Sequence, residues 1–320
     1  MNTEMSAAWD VVVGLALVHA LVVLFMPVLM VGIVNRTKSL WAGRKGPGLL
    51  QLAWDLQRLL RKRPVLSAVA TPLFRAGAWV VLGASLLAAL IAPILGRFAP
   101  LQFDHDFIVF AYTLGLARMA LMLSALDVGS SFEGMGAARE ASFSAFVEPA
   151  LFLLIGSAAM ATGHTSFAGL IGGLQGSASF ALLAAPAVVV LFILLQAEAS
   201  RVPVDDPLTH LELTMIHEVM VLDHSGPDLA AMQWAGALKM TTYAGLMAAL
   251  LNPFDPTGPG LAPLAAVASS LALMVGVAVA VGCVESLTAR LRLRLVPQYL
   301  MMASVAAGLC LAVAGSAWGH

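Results

Sequence analysis

The residues best able to do chemistry are gathered in one stretch, 197–228, which reads AEASRVPVDDPLTHLELTMIHEVMVLDHSGPD. Seven of the chain's 18 carboxylates and three of its 7 histidines lie there, with Arg201 as its single arginine. Carboxylates and imidazoles in such density can hold and pass protons or meet the charges of a partner. Unpaired charge at membrane depth costs roughly 2.5–3.5 kcal/mol per group, so charge kept beside apolar segments marks ion handling or docking. Glu198 and Arg201 stand three apart, a helical spacing that predicts an ion pair, with Asp205, Asp206 and Glu212 close behind. Outside the strip, Glu148 lies within an apolar run between Val147 and Pro149, with no neutralising neighbour in sequence. A carboxyl so placed suits a group that gains and loses a proton during work. Glu285, Arg118 and Asp127 complete the charges expected to be buried, whereas Glu133 and Glu140 read as solvated loop residues.

Asp206-Pro207 reads as an N-cap followed by proline, and Ser225-Gly226-Pro227 as a stop, which predicts a short loop helix over 207–224. His210, His217 and His224 would then share one face. Seven residues rise about 10.5 Å along a helix, too far for successive histidines to share one ion, so a metal site is not expected. The imidazoles could relay protons near neutral pH or, with Glu218, hydrogen-bond to a partner subunit. Cys283 and Cys310 sit in apolar runs without the spacing of a zinc, iron-sulfur or haem site, and read as buried small hydrophobes. No cofactor is expected in this chain.

The elements that must position these groups follow from composition. Sixty per cent of the residues are hydrophobic and 11 per cent charged, which predicts an all-α, polytopic integral membrane protein and gives no basis for nucleic-acid binding. Apolar windows of spanning length fall at 9–34, 74–95, 107–126, 144–162, 178–196, 234–251, 262–284 and 295–316, so eight transmembrane helices are expected. Arg36, Lys38, Arg44, Lys45, Arg58, Arg61, Lys62 and Arg63 crowd the first loop, and Arg139, Arg201, Arg290, Arg292 and Arg294 fall on the same side. That bias places the loops carrying them in the cytoplasm and both termini outside. Leucines at helical spacing over 49–60 predict an amphipathic helix on the membrane surface. With no internal repeat or linker, 1–320 reads as a single integral membrane domain.

These motifs resemble the subunit 1 family of respiratory complex I, and within it the branch found in membrane-bound nickel-iron hydrogenases of the formate hydrogenlyase or hydrogenase-4 type. The likeness rests on Gly43-Arg44-Lys45-Gly46-Pro47 with the leucines that follow and on Arg139 nine residues before Glu148. It rests further on Ala197-Glu198, Arg201, Pro203, Asp205, Pro207, Glu212 and Leu213. Val204, Asp206, Leu208 and His210, with Phe143 and Val147, depart from the quinone-reducing branch. The resemblance implies a non-catalytic subunit of the bacterial inner membrane, without a cofactor of its own. It would anchor an iron-sulfur small subunit and a nickel-iron large subunit and work beside antiporter-like membrane subunits. It would supply a carboxylate path through Glu148, Glu198, Asp205, Glu212 and Glu285. Arg44, Arg139 and Arg201, with Asp206, His210, His217 and Glu218, would serve charge pairing or docking. The competing expectations are a quinone-site subunit of the same superfamily, a freestanding secondary ion transporter and a pure scaffold.

Overall fold

A chain segment surrounded by lipid has to satisfy its backbone N–H and C=O groups internally, so long apolar runs become helices. The computed structural model describes residues 2–206 and 215–318, with side chains over 11–206 and 215–316, and these residues form helices and no strand. In chain order they are α1 (Asn2–Trp41), α2 (Gln51–Leu60), α3 (Pro72–Ile91), α4 (Asp106–Asp127), α5 (Ser131–Thr162), α6 (Phe167–Gly176), α7 (Phe180–Glu198), α8 (His217–Met220), α9 (Gly226–Leu251), α10 (Ala262–Leu287) and α11 (Val296–Trp318).

Seven of the described helices, α1 from Val11 onward, α3, α4, α5, α7, α10 and α11, are long and apolar enough to cross a membrane. The eighth expected window falls in α9, which has the length but is diluted by Lys239, Thr241, Thr242 and Tyr243. Almost every residue of α9 from Ala230 to Leu250 is buried, against α1, α3, α7 and α10. Surrounded by protein rather than lipid, it can carry polar side chains, and its alanines and glycines allow close helix approach.

Three further differences from the sequence expectations concern the polar segments. Helix α5 begins at Ser131, well before its apolar window, so Glu133, Arg139 and Glu140 ride on a helix and not in a loop. Glu133 is fully buried and Glu140 half-buried, not solvated. Helix α6 is too short to have shown as a span; Ser166 caps its first turn and Asp106 Oδ1 accepts the Phe167 N–H at 2.6 Å. Of the loop helix expected over 207–224, residues 207–214, with His210 and Glu212, lie outside the described residues. The rest is the four-residue α8 followed by a turn, so His217 and His224 do not share a helical face. His224 instead stacks on Phe74, ring centroids 4.0 Å apart, and lies 3.2 Å from Ser124 Oγ. Burial holds its imidazole below the usual range.

The surface helix is present as α2, amphipathic and without a buried residue, lying against α1 and α9. The turn before it presses on α1 at Gly32, where a Cβ would come 2.1 Å from the Leu49 carbonyl oxygen. At the opposite end of the bundle, Gln175 Nε2 donates to the carbonyls of Ala249, Leu250 and Asn252 at 2.8, 3.0 and 2.9 Å. Its Oε1 accepts from Arg97 Nε at 2.7 Å. One side chain thus satisfies two of the last four carbonyls of the central helix, which have no partner within the helix, and that of Asn252 just beyond it. Gln175→Ala is expected to lower stability by about 1–3 kcal/mol, the usual cost of leaving buried acceptors unpaired. A thermal melt in detergent should show a lowered midpoint; an unchanged one would mean that α9 needs no such cap.

Candidate functional site

Charge inside the bundle converges on Arg118, near the middle of α4 and 5 % exposed. Its Nη1 donates to Glu148 Oε1 at 2.6 Å, its Nε lies 3.3 Å from Glu140 Oε1, and its Nη2 donates to Glu198 Oε1. Glu140 and Glu148 are eight residues apart on α5 and so project from nearby faces, whereas Glu198 is the last residue of α7. A guanidinium can serve three acids because its five N–H donors fan out in a rigid plane. The other oxygen of Glu198 meets Lys239 Nζ of α9 at 3.3 Å. Three carboxylates therefore face two basic side chains, Arg118 and Lys239, and the group as a whole has room for one further positive charge.

This arrangement corrects two sequence expectations. Glu198 pairs with Arg118 and Lys239, not with Arg201, because the chain leaves the helix at Ala199 and turns through Ser200, whose φ is 52°. Glu148 is not uncompensated, since Arg118 reaches it from the neighbouring helix; its side chain is nevertheless 52 % exposed on the surface of the chain. Beside it a small cavity of about 40 Å³ is lined by Tyr112, Gly115, Arg118, Phe152 and Glu198.

Toward the end of the bundle that carries the basic loops, a second set of charges is knitted together. Asp205 Oδ1 lies 2.8 Å from Arg290 Nη2, and its Oδ2 accepts the backbone N–H groups of Ile216 and His217 at 3.1 and 2.8 Å. Asp205 thus starts α8, and the Asp206 N–H leans on the same carboxylate at 3.0 Å. Arg139 Nη1 donates to the Met215 carbonyl at 2.7 Å. Helix α8 lies so close to α5 that a Cβ on Gly136 would come 2.4 Å from Val219 Cγ1. Glu285, its carboxylate fully enclosed, lies 2.8 Å from Lys38 Nζ and 3.6 Å from Arg201 Nη1. Arg44 is exposed in the turn after α1, on the surface and apart from these acids. Asp127 accepts from the Thr71 N–H and hydroxyl at 2.7 Å each, capping α3 and not facing Arg118.

Two cavities join the sets. One of about 20 Å³, enough for a water molecule, is lined by Arg118, Glu140, Glu198, Ser200, Asp205 and His217. A larger one of about 260 Å³ lies between α1, α2, α8 and α9, with Asn35, Gln51, Asp55, Arg201, His217 and Glu218 in its walls. Burial, reinforced by nearby Asp205, pushes the Glu218 carboxyl up to about 7, although Arg201 opposes the shift. Burial, helped by Lys239, lowers His217 to about 3. No cluster of His, Cys, Asp or Glu suited to a metal occurs among the described residues.

Sequence reading missed Lys239 altogether and gave Arg118 no role. Each is the lone charged residue of its apolar window, and two lone cations facing lone acids on other helices was the available signal. It also missed Gln196, whose Oε1 accepts from the Tyr299 hydroxyl and whose Nε2 donates to the Val202 carbonyl at 3.1 Å, fixing the end of α7.

The family model described as NADH dehydrogenase matches residues 13–315. The chain is 30 % identical to formate hydrogenlyase subunit 4 of Escherichia coli K12 over 291 residues, which is 88 % of this chain and 92 % of that protein. It is likewise 30 % identical to hydrogenase-4 component C of the same organism over 239 residues, 75 % of each. Among solved structures it resembles a chain of the membrane-bound sulfane sulfur reductase, an archaeal respiratory membrane complex. That likeness has a TM-score of 0.78 and 20 % identity, and covers 92 % of this chain and 98 % of that one. The chain belongs to the NADH dehydrogenase family of complex I subunit 1-like membrane subunits.

Without Lys239 one oxygen of buried Glu198 loses its partner while Arg118 still holds the other, so Lys239→Met should destabilise the protein by about 1–3 kcal/mol. Glu198→Gln combined with it should recover part of that loss, and a double-mutant cycle by thermal melts measures the coupling; additive effects would mean the pair does not interact. Glu218, with its folded-state pKa raised, is more costly to bury once ionised, so its contribution to docking of 215–221 is lost as pH rises through about 7. Infrared spectra should show a carboxyl band titrating near that pH and missing in Glu218→Gln; titration only in the ordinary carboxylate range would contradict the assignment.

Proposed function

We propose that this member of the complex I subunit 1-like family is the membrane subunit of a hydrogenase-type complex of the formate hydrogenlyase or hydrogenase-4 kind, anchoring its redox arm and coupling turnover to proton movement. The observation that carries the reading is the run of acids from the α8 region through the Arg118 cluster to half-exposed Glu148. A structural salt bridge needs one carboxylate per cation; a path needs successive acids whose shared cations leave room for a mobile proton.

In this reading the end of the bundle with the basic loops faces the cytoplasm, both termini lie outside, and the membrane is a bacterial inner membrane. The basic first loop, with Arg44, receives an iron-sulfur small subunit and a nickel-iron large subunit, which hold the redox groups. A carboxylate half-exposed at membrane depth is costly against lipid. The α4–α5 face around Glu148 is therefore covered by another membrane subunit of antiporter-like type, which continues the path. Glu212 belongs to the carboxylate path and His210 to the docking residues in the same scheme.

A second reading has one specific observation in its favour. The 260 Å³ cavity between α1, α2 and α9 has both apolar walls (Val31, Leu52, Met232) and polar groups, which suits an amphipathic quinone headgroup. Quinone-dependent, inhibitor-sensitive turnover of the purified complex would favour it, and turnover indifferent to quinone would remove it.

Glu198→Gln in the complex, reconstituted into liposomes, is expected to assemble and retain electron transfer while proton movement per turnover falls at least tenfold. The ratio is read from a pH-sensitive dye alongside redox turnover. Full coupling in that variant would overturn the coupling role and leave a scaffold.

A further inference from the structure

His217 occupies a position that neither docking nor ion pairing explains. It lines both the 260 Å³ cavity at the basic end and the 20 Å³ cavity at the Arg118 cluster, and the one other residue common to both linings is Ser200. These two residues therefore form the partition between a space opening toward the loops and the buried acids. The ring is held in place by its backbone. Asp205 accepts the His217 and Ile216 N–H groups, Arg139 holds the Met215 carbonyl, and Gly136 lets α8 seat directly on α5.

The electrostatic surroundings come from four directions. Lys239 of α9 and Glu198 of α7 are near enough to act on the imidazole, and Asp205, Glu218 and Arg201 flank it along the chain and across the larger cavity. A ring kept neutral in this setting has one nitrogen that donates and one that accepts. It can therefore hand a proton across a partition without a net charge ever residing there, and Lys239 next door disfavours a charged ring.

We infer that His217 is the gate residue through which protons pass between the cavity at the basic end and the Glu198–Arg118–Glu140 cluster. The inference rests on the coupling function proposed above and names the entry point for that function. In the transfer, a proton binds the unprotonated ring nitrogen from one cavity and the proton on the other nitrogen leaves into the other cavity. The two transfers are concerted, so no charge accumulates on the ring, and a ring flip restores the starting tautomer for the next proton. Ser200, on the same partition, serves as a neighbouring hydroxyl rather than as an acid or base.

The test uses the reconstituted complex, with protons moved per redox turnover as the readout. His217→Ala should lower that ratio at least tenfold, and millimolar imidazole added to the medium should restore a measurable part of it, since the deleted ring leaves a space between two existing cavities. His217→Phe, which fills the partition without a proton-bearing atom, should be uncoupled and insensitive to imidazole, and it serves in place of His217→Ala should the smaller side chain impair assembly. Uncoupling in His217→Ala without imidazole rescue would show that the ring acts by packing alone and would overturn the inference. Normal coupling in either His217 variant, with Glu198→Gln uncoupled, would overturn the gate while leaving the coupling role. Normal coupling in Glu198→Gln as well would remove both.

Discussion

One guanidinium shared by three carboxylates, deep in a helix bundle, is the constraint around which this molecule is arranged. A buried arginine cannot shed its charge, so its surroundings have to supply acids. Arg118 takes them from two different helices, Glu140 and Glu148 from α5 and Glu198 from α7. Burial of a lone ion pair is often no better than burial of apolar side chains of similar size, so such a group is weak evidence for stability as its purpose. Its composition argues instead for chemistry: Lys239 adds a second cation, the acids still outnumber the cations, and small cavities lie on both sides of the group.

The rest of the fold serves that placement. Central α9 has to bring Lys239 to Glu198, and it is fixed at its far end by Gln175 and beside it by Asn252, whose Nδ2 donates to the Ala266 carbonyl at 2.9 Å and lies 2.8 Å from Ser270 Oγ. At the basic end, the segment after α7 is pinned by Asp205 to Arg290 and to the start of α8. Arg75 Nε of α3 meets Asp228 at 3.1 Å, closing the bundle around the first turn of α9. Rigid packing at both ends leaves the charged interior as the place where a change of protonation can be felt.

The helical membrane architecture was legible because apolar windows of spanning length have few alternatives, and the amphipathic leucine pattern gave α2 for the same reason. Glu198, Asp205 and Glu285 were legible as acids that an apolar chain must shelter, whereas Glu148 is half-exposed on the surface of the chain. Their partners were not, because pairing across helices depends on rotation and tilt, which the order of residues along one helix does not encode. The rule of nearest helical neighbours paired Glu198 with Arg201, whereas the chain bends at Ser200 and sends the arginine to Glu285. Glu133 and Glu140 were read as loop residues because polarity was taken as the end of a helix, when it marked the face of α5 that meets α4, α8 and their side chains. The cap and stop signals at Asp206-Pro207 and Ser225-Gly226-Pro227 extended the loop helix to His224, although one carboxylate, that of Asp205, starts the four-residue α8.

The most direct measurement is the ratio of protons moved to electrons transferred in liposome-reconstituted complex carrying Arg118→Lys. Lysine keeps the charge but offers a compact ammonium in place of a planar fork, so it cannot hold three acids in the same geometry. If the shared guanidinium organises the path, the complex assembles, electron transfer continues, and the ratio falls several-fold. An unchanged ratio in an assembled Arg118→Lys complex would show that the cluster is held together by charge alone, and would contradict an arginine-organised route for protons through this subunit.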